Sequence, residues 1–176
     1  MNEYAYSLKI DELNVIKYEI ASAANKQEAT RLFEDVLFDA YIYGFVDVIG
    51  DANSDLDYSK MLGAIQHEYK GVSIYDTMFQ YSQQGSVEDI YRLLESEFHR
   101  VYSTAAYDAA KQDNRTRKRW HTVGDAKVRD THEYLDGVTV DIDAEFMTYD
   151  GDRALFPGDF GYAENNANCR CWLEYA

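Results

Sequence analysis

The sequence is poor in the features that mark secreted, membrane-spanning or nucleic-acid-wrapping proteins. Its 176 residues contain one proline, two cysteines and 17 basic residues against 32 acidic ones. No apolar run approaches the ~18–20 residues that a membrane-spanning helix needs, and the N-terminus lacks the basic start and apolar core of a secretory signal. Cys169 and Cys171 are one residue apart, so a disulfide between them would close a small, strained ring. We therefore expect an intracellular protein with reduced thiols and no membrane contact.

The formal net charge of -15 is unevenly distributed along the chain. Residues 111–129 carry seven Lys/Arg against two Asp/Glu, whereas the segments on either side are strongly acidic. A field this negative repels nucleic acid, so contact with DNA is expected to be weak or absent. We predict that the basic island binds a protein partner, and contact with packaged DNA, with Trp120 stacked on a base, is the alternative. The basic island comprises Lys111, Arg115, Arg117, Lys118 and Arg119, followed by Lys127 and Arg129.

The first part of the chain has the apolar spacing of helices. Apolar residues at 46% and aromatic residues at 15% are sufficient for a hydrophobic core. Asn25 and Ser86 are predicted to cap the two longest helices, and Gly50 to end the first of them. His99 is expected on a helix surface. The predicted helices span residues 3–24, 25–50, 61–69, 72–83 and 87–112.

The segment from Asp51 to Tyr58 is predicted to be an acidic loop. Aspartate or asparagine stands at every second position from Asp51 to Asp57, as in calcium-binding loops. An EF-hand needs glycine and glutamate where this chain has Leu56 and Leu62. We therefore favour a solvated loop over a calcium site.

The periodicity changes after Asn114. Strands are predicted over 117–123, at the alternating residues 138–142 and over 169–175, and a helix over 126–134, capped by Asp125 and stopped by Gly137. The predicted fold class is α+β, with an N-terminal helical region (residues 1–84) followed by a small mixed α/β module with a short antiparallel sheet (residues 85–176).

Several polar residues of the module are predicted to lie close together. On the predicted helix, Asp125, Arg129 and His132 stand at i, i+4 and i+7 and share one face, so Asp125 can pair with Arg129. His132 can bond to Asp136 or to a nearby backbone group. On the predicted terminal strand the sulfurs of Cys169 and Cys171 point to one side, with Arg170 on the other.

Three kinds of site fit these residues. We favour a hydrogen-bonded polar network that fixes a small fold, with Arg129 and Arg170 bonded to carboxylates or carbonyls. Zn²⁺ bound by His132, Cys169 and Cys171 is a less favoured alternative, because Cys-x-Cys is not the usual knuckle spacing. A thiolate nucleophile paired with a histidine is the third, although no oxyanion site or cleft is evident in the sequence.

The ordered set of residues near the C-terminus resembles the head morphogenesis domain of tailed phages, the Mu F-like minor capsid family. No single motif is specific, but the ordered set is, and the resemblance covers about residues 85–176. The matching residues are Trp120, Asp125, Arg129, His132, Leu135, Asp136, Gly137, Phe146, Pro157, Gly158, Asp159, Glu164, Asn168, Cys169, Arg170 and Cys171.

The resemblance implies a phage minor head protein. Such a protein binds near the portal or inner capsid during head morphogenesis and DNA packaging or delivery, is assembled in the host cytoplasm and resides inside the virion. It implies portal or capsid proteins as partners, self-association as a further option, no cofactor and no enzymatic activity. The implied structural signature is Trp120, Asp125, Arg129, His132, Asp136, Gly137, Asn168, Cys169, Arg170 and Cys171. The alternative is a phage-encoded effector or metal-binding enzyme that re-uses the scaffold in the host cytoplasm.

Overall fold

The computed structural model describes residues 3–51 and 55–176. Helices dominate the first part of the chain and short strands the last, which confirms the predicted α+β class. Among the described residues, none of the helices has the length and apolarity that a bilayer crossing requires. The helices are α1 (Glu3–Ala21), α2 (Lys26–Ile49), α3 (Tyr58–Ile65), α4 (Ile74–Gln84), α5 (Val87–Gln112), α6 (Asp130–Glu133) and α7 (Ala163–Asn166). The strands are β1 (Glu68–Tyr69), β2 (Val72–Ser73), β3 (Arg117–His121), β4 (Thr139–Asp141), β5 (Phe146–Met147), β6 (Arg153–Ala154) and β7 (Trp172–Tyr175).

Helices α1 to α5 share one hydrophobic core, in which α2 packs along α5. The aromatic face of α2 is covered there, with Phe33, Tyr41 and Phe45 at most 2% exposed. Gly44 permits the close approach of the two helices, because a Cβ at this position would lie 2.1 Å from the carbonyl oxygen of Tyr102. The long helices therefore form one packed body.

Local capping signals set the ends of the long helices. The Asn25 side chain accepts a hydrogen bond from the Glu28 amide, and Gly50 ends α2 in the left-handed region at φ 80°. These ends confirm the prediction for α2, and α5 also begins and ends as predicted. Helix α1 stops at Ala21, three residues before the predicted end. Ser86 takes the N-cap position of α5, but its side chain makes no capping bond.

The prediction of a helix over residues 61–69 is wrong. Helix α3 ends at Ile65, and β1 and β2 form an antiparallel hairpin instead. Lys70 and Gly71 have φ values of 52° and 78°, as the tight turns of two-residue hairpins require. The acidic loop ends at Asp57, whose carboxylate caps α3. Asn53, which belongs to the calcium alternative, lies outside the described residues.

The C-terminal module contains a three-stranded antiparallel sheet in the order β4-β3-β7 and a separate β5-β6 hairpin. Trp120, fully buried, lies at the centre of a second hydrophobic cluster. The predicted strands are present but shorter, and Cys169 and Cys171 precede β7 instead of lying in it. The predicted helix over residues 126–134 is wrong, because only Asp130–Glu133 is helical.

The part of the module that follows α5, residues 113–176, packs on the C-terminal half of this helix. Gly158 lies against this helix at φ 95°, and a Cβ there would be 3.0 Å from the Cα of Arg100. The rings of Tyr107 and Phe156 meet at 5.3 Å. His99 is 7% exposed, and its Nε2 lies 2.8 Å from the carbonyl oxygen of Cys171. The expectation that His99 lies on a helix surface is therefore wrong.

Candidate functional site

His132, Cys169 and Cys171 meet inside the module. The Nδ1 atom of His132 lies 3.7 Å from Sγ of Cys169 and 3.5 Å from Sγ of Cys171. All three side chains are buried, and both cysteines are free thiols. Asn168, just before them, takes a φ of 52°, which turns the chain so that both sulfurs face the imidazole. We call these three side chains the His-Cys-Cys cluster.

Aromatic rings enclose the His-Cys-Cys cluster. Trp120 meets the ring of His132 edge-on at 5.8 Å, and Phe160 stacks on the same ring at 5.1 Å. Trp120 also contacts Phe146 edge-on at 5.0 Å. Such an apolar surrounding lowers the local dielectric and strengthens the electrostatic interactions between the polar groups inside.

The buried thiols influence each other strongly. A hydrogen bond from Cys171, assisted by His132, lowers the pKa of Cys169 well below its ordinary value. The same sulfur–sulfur bond, together with burial, raises the pKa of Cys171. Among the buried side-chain atoms of the described residues, His132 Nε2 and Trp120 Nε1 have no hydrogen-bond partner. The cluster thus contains a buried imidazole nitrogen that has no hydrogen-bond partner.

The predicted pairing of Asp125 with Arg129 is wrong. Asp125 lies outside any helix, caps the Lys127 amide at 3.0 Å and accepts two bonds from Arg170, at 2.7 and 2.8 Å. The Arg170 guanidinium, followed by the Lys127 amide, lowers the pKa of Asp125 to about 2. Arg129 instead donates to the carbonyl of Ala167. Asp125, Arg129 and His132, which were predicted to share a helix face, therefore each contact a different part of the chain.

The loop after β3 is held by Asp136 and Gly137. The carboxylate of Asp136 accepts a bond from the Thr122 amide at 2.7 Å, and is not a partner of His132, which bonds to the thiols. Gly137 has a φ of 78°, and a Cβ there would lie 3.3 Å from Nη2 of Arg119. Both signature residues thus shape the backbone that leads from β3 into β4.

The basic island does not form one exposed surface. Lys118 is 1% exposed, and its Nζ donates to the Leu155 carbonyl. Burial lowers the pKa of Lys118 to about 8. Arg117 and Arg119 point outward on the same strand. Lys118 is therefore not available to a partner, contrary to the sequence prediction, and the buried Trp120 cannot stack on a base.

Acidic residues lie beside the remaining cations of the island. Lys111 pairs with Asp143, and Arg115 pairs with Asp113 at 2.7 Å. Across the sheet, Arg117 stands opposite Asp141 and Arg119 opposite Glu174. Opposite charges in cross-strand pairs reduce the local field.

Sequence reasoning missed a polar network that joins the turn between β5 and β6 to the loop between β6 and β7. The buried carboxylate of Asp152 accepts bonds from the amides of Gly161 and Tyr162, both at 3.0 Å, and from Nδ2 of Asn165 at 2.9 Å. Asn166 bonds to both backbone groups of Phe160. The sequence signal was the Asp-Gly-Asp turn at 150–152, which indicates a turn but not its distant partners.

Sequence reasoning also missed a cleft. It lies between the β1–β2 hairpin, α5 and the Pro-Gly-Asp turn at residues 157–159. Its volume is about 560 Å³, and it is lined by His67, Tyr69, Arg100 and Asp159, among others. Burial raises the pKa of Asp159 and lowers that of His67. Nε of Arg100 lies 2.8 Å from the fully buried carboxylate of Glu97. Perturbed groups in a cleft are a feature of binding sites.

The fold and the site define an α+β protein in which a small module, packed on a long helix, encloses a buried imidazole and two thiols. The chain belongs to the family described as Phage Mu protein F like protein, whose model matches residues 64–174. This confirms the resemblance seen in the sequence. The match begins in α3, ahead of the predicted boundary at residues 84 and 85.

Two relatives illustrate the range of proteins that the chain is similar to. It is 36% identical over 92 residues to the NAD(+)--arginine ADP-ribosyltransferase EFV of Enterococcus faecalis, covering 50% of this chain and 19% of the enzyme. It is 34% identical over 84 residues to the minor head protein GP7 of Bacillus phage SPP1, covering 46% of this chain and 27% of that protein. The chain thus spans under a third of either relative. No solved structure matches it significantly.

The expectation of no enzymatic activity is contradicted by one of these comparisons. Half of the chain is similar to part of an ADP-ribosyltransferase, so the sequence prediction that the protein is not an enzyme is corrected. From the sequence, an effector or metal-binding enzyme was kept only as the alternative, because the resemblance that guided the prediction concerned head proteins.

Proposed function

We propose that this protein is a minor head protein of a tailed phage, located inside the capsid near the portal. The family membership and the similarity to a phage minor head protein carry this proposal. It would join the head during morphogenesis and act in DNA packaging or delivery. Within it, we propose that residues 1–84 and 85–176 act as a helical region and a head-morphogenesis module that meet at α5.

The charge distribution supports a protein partner over DNA. The net charge of -15 opposes attraction to a polyanion. Five of the seven cations of the basic island pair with carboxylates, face them across the sheet or are buried. We propose that the outward face of β3, with Arg117 and Arg119, contacts a portal or capsid subunit.

Exposed aromatic residues offer a second contact surface on the module. Tyr134 and Tyr149 are 46% and 69% exposed, their rings lie 6.3 Å apart, and Met147 beside them is 50% exposed. Aromatic and methionine side chains are enriched at protein interfaces. This surface supports a role as a docking unit.

Mass spectrometry of purified virions and procapsids tests the head-protein proposal. We expect this polypeptide in both, at low copy number relative to the major capsid protein. The double variant Arg117→Glu/Arg119→Glu is expected to be depleted from particles, whereas Arg92→Glu on α5, also exposed, serves as the matched control. Absence of the wild-type polypeptide from procapsids and virions would refute the proposal.

The ADP-ribosyltransferase relative supports a second candidate function, an effector enzyme acting in the host cytoplasm. The cleft of about 560 Å³ is large enough for a small-molecule substrate. Incubation with NAD⁺ and an arginine-containing peptide, read by mass spectrometry, tests this candidate. Transfer of ADP-ribose that is lost in Asp159→Asn and kept in Asp130→Asn would support it, and unmodified peptide would eliminate it.

A further inference from the structure

We propose that the His-Cys-Cys cluster is a Zn²⁺ site with three protein ligands and one open position. The ligands are Nδ1 of His132 and the sulfurs of Cys169 and Cys171, and these atoms all lie within 4.8 Å of one another. Thiolate sulfur and imidazole nitrogen are the ligands that zinc prefers in proteins. The site is independent of whether the protein serves as a head component or as an enzyme.

The spacing of the ligand atoms suits tetrahedral zinc. Usual Zn–S and Zn–N bond lengths at a tetrahedral angle place sulfur and nitrogen about 3.6 Å apart. The separations between Nδ1 and the sulfurs of Cys169 and Cys171 are 3.7 and 3.5 Å. Binding would therefore need almost no movement of the imidazole relative to either thiol.

The unusual Cys-x-Cys spacing is accommodated by the local backbone. The left-handed conformation of Asn168 and the extended chain after it place both sulfurs on the inner side. The Cys171 carbonyl lies 2.8 Å from Nε2 of His99, which fixes the second thiol against α5. Arg170, between the two, is directed away to Asp125. The ligands are thus positioned by contacts that come from three separate parts of the chain.

A small cavity beside the cluster provides room for a fourth ligand. It is lined by His132, Cys171, Arg129 and Lys127, among others, and its volume of about 10 Å³ is at the lower limit of the space that one water molecule needs. Among the described residues, no carboxylate joins the cluster of ligand atoms. Three protein ligands and a water molecule complete a four-coordinate zinc site.

Zinc accounts for the cluster better than simple packing of the cysteines or a disulfide between them. A purely packed pair of cysteines does not explain why both sulfurs converge on one buried imidazole nitrogen. A disulfide between Cys169 and Cys171 would close a strained ring. On binding, Zn²⁺ would accept a lone pair from Nδ1 of neutral His132 and displace the proton of each thiol into solvent.

Metal analysis of the full, reduced chain tests this site. After treatment with a chelator and addition of Zn²⁺, we expect about one zinc per chain, held against a competing chromophoric chelator. Replacing zinc with Co²⁺ is expected to produce a thiolate-to-cobalt charge-transfer absorption band. Thermal unfolding should shift to a higher Tm when zinc is restored. A folded, reduced chain that takes up no zinc and gives no such band would overturn the proposal, as would stoichiometric binding of iron or copper in place of zinc.

Variants locate the site. Cys169→Ser and Cys171→Ser are expected to lose the cobalt band, whereas His121→Gln, which alters a half-buried histidine outside the cluster, should keep it. Far-UV circular dichroism identifies any variant that fails to fold. In that case the zinc and cobalt titrations of the unaltered chain decide whether the site exists. A cobalt band that survives in both serine variants would place the metal elsewhere and refute the assignment.

Discussion

Helices α1 to α5, here the helical region, and the part of the module that follows them are stabilised in different ways. Helices α1 to α5 bury an apolar core that extends from Leu13 to Ala109. The module buries far fewer apolar side chains, centred on Trp120. Hydrogen bonds of Asp152 and Asn166 join its loops instead. Apolar packing is non-directional and tolerant, whereas buried polar groups need every partner in place.

This difference determines where the stability of the chain is sensitive to substitution. The helical region should tolerate apolar exchanges that preserve volume, because its core is large. In the module, one aromatic ring and one carboxylate each have several partners from distant segments. Loss of a single side chain there removes several contacts at once.

Trp120→Ala should be the most destabilising substitution. The ring is fully buried and contacts His132, Phe146 and Phe160, and removing such a ring costs about 3–5 kcal/mol of unfolding free energy. Urea denaturation followed by circular dichroism measures the change. Trp172, which is 38% exposed, provides the control Trp172→Ala. Equal losses in the two variants would contradict the assignment of Trp120 as the centre of the module.

The long helices could be predicted from sequence because their signals are local. The apolar spacing, the Asn25 cap and the terminal Gly50 fixed α2 to within a residue. The helix predicted after Asp125 was wrong for a non-local reason. The carboxylate of Asp125 is bonded to Arg170, 45 residues away in sequence. A pattern within one short stretch of sequence cannot reveal a partner that lies so far along the chain.

The sequence predicted the residues of the candidate site and that both sulfurs face one side, but not which contacts bring them to His132. The cysteines lie 37 and 39 residues after His132 in sequence, so their convergence depends on how β7 pairs with β3. The cleft was missed because its walls come from the unpredicted hairpin and from the Pro-Gly-Asp turn. Gly158 was among the residues that carry the family resemblance, yet its contact with α5 required the three-dimensional structure.

Asp152→Asn should have the second largest effect. An amide can place only one oxygen where the carboxylate now accepts bonds from the Gly161 and Tyr162 amides and the Asn165 side chain. Unpaired buried donors cost about 1–3 kcal/mol each, so we expect a loss of about 2–4 kcal/mol. Denaturant midpoints give the value, with the exposed Asp130→Asn as the matched control. A loss no greater than that of the control would show that the network contributes little.

Gly44→Ala extends the comparison to the helical region. The added methyl would meet the Tyr102 carbonyl oxygen at 2.1 Å, so α2 and α5 must move apart. Overpacking of this kind costs about 1–3 kcal/mol. Gly63 in α3 has open space around it, and Gly63→Ala should instead stabilise the helix by about 0.5–1 kcal/mol. Opposite signs of the two Tm shifts are expected, and a neutral Gly44→Ala would disprove the close approach.

Asp125→Asn should have the smallest effect at neutral pH, because the ion pair of Asp125 with Arg170 is exposed to solvent.

The pH dependence of the stability that this ion pair provides is nevertheless informative. The pKa of Asp125 is lowered from 3.8 to about 2 in the folded protein, first by Arg170. The folded state therefore binds this proton less readily than the unfolded state does, and the pair stabilises the fold above about pH 4. That contribution disappears as the pH falls toward 2. As the pH falls from about 4 toward 2, the Tm of wild type should approach that of Asp125→Asn. The Tm of Arg170→Gln should show the same relation to wild type, because both substitutions remove the same ion pair. A difference that widens on acidification would mean that the carboxylate stabilises the module through some contact other than Arg170.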